Sequence, residues 1–301
     1  MSQITIFSSA QTNGLPQSYN DGQSPKAPPQ QNQGYVTAPS QQPYAGISPQ
    51  SPISQPTLGV TSVDVTTLNP NHPLVPIIKW AQRERPRIRS IKDYTCTLVK
   101  QESVNGKELD PCALSMKIRN EPFSVYAKYL EPTKKAGTEA IFVAGQNKGK
   151  LWAKGVGILS ILGTQSLAPD GKYAMDGNKY PITEVGLARL VDLLIEVGEG
   201  DVKNNYECKV QYYEKVAIGQ RNCTCIEVIH PKPTPGKFPF YIARIFIDNE
   251  LQLPIKYESY DWPKKPEEKP QLLEVYLYHD LKLNVGLTDK DFDIKNSDYH
   301  F

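Results

Sequence analysis

The sequence predicts an α+β fold: a strongly curved antiparallel sheet, with an N-terminal helix and one inserted amphipathic helix on the concave face. Three observations predict it. From Tyr94 onward the chain reads as consecutive short runs of alternating apolar and polar residues, rich in Val, Ile, Thr and Tyr. Short loops join these runs, so sequential strands pair antiparallel instead of forming βαβ units. A single amphipathic stretch at 183–198 interrupts them and needs a bent face to cover.

Composition sets the boundaries. The chain has 301 residues, of which 39% are hydrophobic. The apolar deficit sits at the start. Residues 1–60 carry only two charges, Asp21 and Lys26, with nine prolines and eleven glutamines. Such a segment cannot bury enough apolar surface to offset its ordering entropy. Residues 1–68 are therefore expected to be a disordered Gln/Pro/Ser/Asn-rich tail, and 69–301 a single domain. Lys+Arg total 34 and Asp+Glu 32, a net charge of +2, which argues against a nucleic-acid binder. No run of 18 apolar residues is present, so no membrane span is expected. The opening residues lack a basic start and a continuous apolar run, so they do not read as a secretory signal peptide.

The elements follow in order. A helix is expected over 73–90, with Leu74, Ile77, Ile78 and Ala81 as its apolar stripe and Pro86 as a kink. Arg83, Arg85, Arg87 and Arg89 read as a solvated basic face. The strand from Tyr94 turns at Asn105-Gly106, a strong hairpin signal, and returns through Leu114, Met116 and Ile118. Phe123–Tyr129, Ala140–Ala144 and Lys150–Lys154 continue the pattern, and Ile158–Leu167 reads as a buried strand or loop. Thr183 suits a helix N-cap, Leu187, Leu190, Leu194 and Val197 form the face, and Gly198 and Gly200 end the helix. Five further strands follow between Glu207 and Leu283.

Chemical motifs are sparse. Gly145–Lys150 has a P-loop outline but is one residue short, and reads as a hairpin turn. Asp289, Asp291 and Asp293 have the start of a calcium loop without its glycine or its last glutamate, and read as capping aspartates. His72, His230, His279 and His300 are scattered, so no catalytic residue is assigned. A two-residue turn at Asn105-Gly106 would set Cys96 opposite Ser115 and Cys112 opposite Val99. A turn at Ile218-Gly219 would set Cys208 opposite Ile229, Cys223 opposite Glu214 and Cys225 opposite Tyr212. No disulfide follows from these registers, and the five cysteines read as free, mostly buried thiols. No metal and no cofactor are expected. Aromatic residues on the strands are either plain core or the lining of a cavity enclosed by the bent sheet.

Several segments carry a family resemblance: Ile91–Lys100 (IKDYTCTLVK), Met116–Tyr126 (MKIRNEPFSVY), Gly137–Val143 (GTEAIFV), Gly149–Trp152 (GKLW), Pro181–Leu187 (PITEVGL) and Tyr278–Asp289 (YHDLKLNVGLTD). Together they resemble a bacterial envelope family, domain of unknown function 1571, over roughly 72–301. Arg119, Pro122 and Tyr126, followed by Gly149–Trp152, also look like the lipoprotein-carrier fold of LolA and LolB. That resemblance implies an unclosed half-barrel covered by helices, an apolar cavity for a lipid or lipoprotein acyl chain, and a periplasmic or envelope location. The function it implies is a non-enzymatic carrier or binder. Candidate cavity residues are Tyr126, Phe142, Trp152, Leu187, Leu190, Leu194, Tyr212 and Tyr276. The other reading is an envelope interaction or sensor domain with a packed interior and no small-molecule ligand.

Overall fold

The structure is a computed structural model and describes residues 69–231, 238–265 and 267–301. The tail expected at 1–68 lies outside the described residues. Helix α1 (Val75–Arg89) opens the domain. The strands β1 (Asp93–Val104), β2 (Lys107–Glu108), β3 (Cys112–Arg119), β4 (Ser124–Tyr129), β5 (Glu139–Val143), β6 (Leu151–Lys154) and β7 (Gln165–Leu167) follow. Helix α2 (Leu187–Lys203) then leads into β8 (Lys209–Ile218), β9 (Arg221–Ile229), β10 (Ile242–Asp248), β11 (Leu253–Asp261) and β12 (Gln271–Leu283).

All twelve strands join one antiparallel sheet in the order β7-β6-β5-β4-β3-β1-β12-β11-β10-β9-β8, with β2 paired to β1. The edges β7 and β8 do not meet, so the half-barrel stays open, as expected. Its centre is the long β1–β12 ladder, in which Leu98 faces Tyr278 and Lys100 faces Tyr276.

Hairpin signals mark the turns but not every register. Asn105 and Gly106 adopt positive φ and close β1 on β2, Ser103 facing Glu108. The chain then leaves the ladder at residues 109–111. When β3 begins, the pairing has moved by one residue: Cys96 faces Met116 and Cys112 faces Lys100. The later hairpin turns one residue beyond the expected place, with Ile218 opposite Arg221, and a bulge near Lys215 shifts it again. Cys223 therefore faces Val216, and Cys225 faces Tyr213. All five cysteines are free.

The helices differ from expectation at their ends. α1 continues through Pro86 because only one more turn follows, and the ring lies on the exposed face. Its arginines are not merely solvated. Arg85 Nε and Arg89 Nη2 donate to the two oxygens of Asp192 on α2, each at 2.7 Å. α2 begins at Leu187, after a short 3₁₀ turn at Ile182–Glu184, and runs through both glycines to Lys203. At Gly198 the helices pack tightly: a Cβ there would lie 3.0 Å from Ile78 Cγ1. The buried face of α2 is Leu187, Val191, Ile195 and Val202, with Leu190, Leu194 and Val197 only partly buried. Each such side chain removed from water contributes about 1.5–3 kcal/mol before entropy.

Thr183 does not cap α2. Two tyrosines from the sheet centre do. Tyr94 Oη accepts the Leu187 N–H at 2.9 Å, and Tyr278 Oη accepts the Gly186 N–H at 3.2 Å. Gly186 sits at φ 120°, and a Cβ on it would come within 2.9 Å of the Tyr94 hydroxyl.

The convex face of β3–β6 is covered by residues 287–301. Phe292, Tyr299 and Phe301 pack there with Tyr126, Ile141 and Trp152. Asp289 pairs with Arg119 and Asp291 with Lys117, each at 2.7 Å, and Asp291 also caps the Thr288 turn. These aspartates are clasps and caps, as their motif suggested. Fully buried Glu139 holds the strap by accepting from the His300 amide at 2.8 Å, and it pairs with Lys128 of β4 at 3.1 Å.

Tyr94→Phe should leave the buried Leu187 N–H without an acceptor and cost about 1–3 kcal/mol. Chemical denaturation of the full chain checks this. An unchanged unfolding midpoint would mean that the hydroxyl does not fix the helix start.

Candidate functional site

Both helices leave space unfilled on the concave face. A cavity of about 810 Å³ lies over β1, β3, β4 and β6, walled by Leu98, Leu114, Met116, Ala127 and Leu151. The chain from Pro169 to Val185 forms its far side. A second cavity of about 340 Å³ lies between the helices and β9–β11, with Ile78, Leu190, Leu194, Val228, Ile245 and Tyr257 in its wall.

Tyr180 and Tyr276 belong to both walls, their rings tilted at 50° with centroids 6.4 Å apart. A buried polar network holds this partition. The Tyr276 hydroxyl donates to Glu102. Lys100 Nζ lies 2.6 Å from Glu102 Oε2 and donates to Asn178 Oδ1 at 2.7 Å. Tyr129 donates to the same Asn178 oxygen at 3.2 Å. On the other side, Lys179 Nζ pairs with Glu274 at 2.9 Å, while Tyr180 and Ser259 donate to Glu274 Oε1. Residues 178–180 are thus stitched to β1, β4 and β12. The two ammonium groups offset the two carboxylates, so the partition presents hydrogen-bonding groups without net charge. That suits an uncharged, mostly apolar occupant.

Burial is the main cause that raises the tyrosine hydroxyls around this space, and nearby carboxylates add to it. Tyr276 is pushed well above the ordinary tyrosine value by burial, then by Glu102 and Glu274. Tyr180 is raised by burial and Glu274, and Tyr129 by burial and Cys112. All three remain protonated donors.

The structure places three of the eight candidate side chains on a cavity: Leu190 and Leu194 on the smaller one and Tyr276 on both. Leu187 is buried in the core beneath the start of α2. Phe142 is buried on the strand face of Ala140, beside the Phe123 ring at 6.2 Å, but lines neither cavity. Tyr126 and Trp152 are corrected to the convex face. Tyr126 faces Ile141 and Ile141 faces Trp152, so all three point away from the side of Ala127. There Tyr126 stacks on Tyr299 at 4.1 Å. Tyr212 is 53% exposed on edge strand β8, where no further strand covers it. The residues missed are Leu98, Leu114, Met116 and Ala127. Alternation already grouped Leu114 with Met116. Tyr126 is one of the strand aromatics, but pairing parity turns its neighbour Ala127 to the cavity instead.

Histidine chemistry is occupied elsewhere. His230 is fully buried, its Nε2 3.0 Å from Asp201 Oδ2 and its Nδ1 3.2 Å from the Phe240 carbonyl, with Phe238 stacked on the ring. His279 lies at the surface, 2.8 Å from Asp280. Among the described residues no group of three or more His, Cys, Asp or Glu side chains could hold a metal ion. No helix among them is long and apolar enough to cross a membrane.

Comparison with known proteins gives one family and several distant structures. The family described as "Protein of unknown function (DUF1571)" matches residues 91–301. No curated protein matches the chain. The lipoprotein LppX of Mycobacterium tuberculosis aligns with 11% identity and a TM-score of 0.40, covering 72% of this chain and 99% of its own. A putative outer membrane lipoprotein-sorting protein domain from Vibrio parahaemolyticus aligns with 13% identity and a TM-score of 0.35, covering 72% and 95%. A LolA superfamily protein from Nitrosomonas europaea aligns with 12% identity and a TM-score of 0.30, covering 71% and 97%.

The raised tyrosines fix a pH dependence. Their protonated form is favoured in the fold, so their contribution is complete below the unfolded value near 10 and is lost as pH rises from there towards the folded values. Unfolding free energy should fall above pH 10, and Tyr276→Phe should flatten that fall. An identical slope in the variant would show that Tyr276 ionises as freely in the folded state as in the unfolded chain.

Proposed function

We propose that this chain, which belongs to the DUF1571 family, is a non-enzymatic binding or carrier protein for an amphiphile. A lipid or lipoprotein acyl chain would lie in its concave cavity. The observation that carries this reading is the larger cavity, about 810 Å³ and walled mainly by apolar side chains. Ligand sites commonly enclose about 300–1,000 Å³ with a few placed polar groups. A hydrocarbon chain lying in an apolar space of this size makes dispersion contacts along its lining. Lys100, Asn178 and Tyr129 supply hydrogen-bonding groups at one wall, where an ester or amide of the ligand can be satisfied.

The reading as an interaction domain expects a packed interior, and the two cavities favour the carrier instead. His230 is fully buried, and neither it nor His279 lines either cavity, which favours a binding role over hydrolysis there. We read the place of work as the bacterial cell envelope, as the family resemblance implies.

Delipidated protein incubated with bacterial lipid extract should retain acyl chains, detected by mass spectrometry after gel filtration. Ala127→Trp should fill the cavity wall and reduce that retention about tenfold or more while the sheet stays folded by circular dichroism. Protein that emerges consistently empty would overturn the carrier reading.

A further inference from the structure

We infer that the loop Gly155–Gln165 docks this protein on a lipid surface, seating its apolar side chains among acyl chains at the mouth of the larger cavity. The sequence pattern of Ile158–Leu167 suggested burial. The structure reverses it: a 3₁₀ turn at Gly157–Leu162 leaves Ile158 83%, Leu159 58%, Ile161 81% and Leu162 62% exposed. Tyr173, across the cavity, is 81% exposed. Five of the eight large apolar side chains most exposed among the described residues thus fall between 158 and 173. Scattered surface leucines need no explanation, but one cluster on a single turn does.

Two features select a lipid surface as the occupant. The first is continuity. Leu159 and Leu162 also line the larger cavity, so the exposed patch and the cavity interior form one apolar surface. A hydrocarbon chain can pass along it from a bilayer to the interior with little exposure to water. The second is charge. Residues 155–165 contain no charged side chain. Lys154 and Lys172 stand on either side, with Asp170 between them in sequence. Such a turn enters the interface through apolar burial, with little electrostatic attraction. The turn is also preformed: Ser160 Oγ donates to the Gly157 carbonyl at 2.6 Å, and Lys154 Nζ donates to the Ser160 carbonyl at 3.3 Å. Docking therefore orders little new chain.

This inference rests on the carrier reading for its purpose, and the test separates the two. The full chain is mixed with phosphatidylethanolamine–phosphatidylglycerol vesicles and sedimented, at low and at high salt. The parent should co-sediment at both, because apolar insertion is not screened. Ile158→Ser with Ile161→Ser should lower the bound fraction about tenfold or more. Neither side chain lines a cavity, so uptake of a fluorescent fatty-acid ester from solution should match the parent. A parent that stays in the supernatant overturns the inference, and so does a variant that binds vesicles as well as the parent. A parent that self-associates instead, and is dispersed by the same double substitution, also overturns it by naming a second copy as the occupant. Vesicle binding without uptake of that ester would uphold the docking loop and overturn the carrier reading alone.

Discussion

Too little helix for the amount of sheet is the constraint on which the rest of this structure depends. Eleven strands side by side at about 4.8 Å span roughly 50 Å along the curved sheet. Helices of 15 and 17 residues reach only about 23 and 26 Å. They lie against each other, locked by Asp192 between Arg85 and Arg89 and by the close approach at Gly198. They therefore cover only part of the concave face. The long connection from β7 to α2 is drawn across the remainder without filling it. The cavities are the geometric remainder of that mismatch.

The tyrosines of β1 and β12 decide where the remainder falls. Tyr94 and Tyr278 fix the first turn of α2 over the middle of the sheet, and Tyr276, two residues earlier in β12, reaches the partition. A buried network such as Lys100–Glu102–Asn178 is rarely the most stabilising filling for such a place, because apolar residues of similar volume do as well or better. Its effect here is positional: it holds residues 178–180 upright as a divider between two unequal spaces.

Much of the fold was legible because alternation and turn chemistry are local. Asn105-Gly106, the stripe from Leu187 onward and the strands from Glu207 to Leu283 each announced an element within a few residues. What was not legible depended on distant partners. The α2 cap came from tyrosines more than ninety residues away in either direction, so Thr183 looked like the better choice. Gly198 reads as a stop signal unless Ile78 is known to lie against it. Residues 109–111 hide a one-residue displacement that alters the partner of every cysteine on that ladder. In the candidate site the misassignment was of face. Tyr126 and Trp152 are large and aromatic, but their parity turns them outward under Tyr299 and Phe292, and small Ala127 turns inward. Ile158–Leu162 has a core composition, and nothing within it signals the 3₁₀ turn that leaves these side chains exposed.

The central β1–β12 ladder also dictates an order of events during synthesis. Leu98 finds Tyr278 only after 180 further residues have been made. Until then β1 can pair with β2 and β3 alone, and its other edge stands open on a ribosome-bound chain. At an elongation rate of about 5–20 residues per second that interval lasts on the order of ten seconds or more. Contacts this far apart in sequence also make for slow closure. A nascent chain of this protein thus presents an unpaired strand edge rich in Thr and Val for much of its synthesis, which is the condition that chaperones exist to shield.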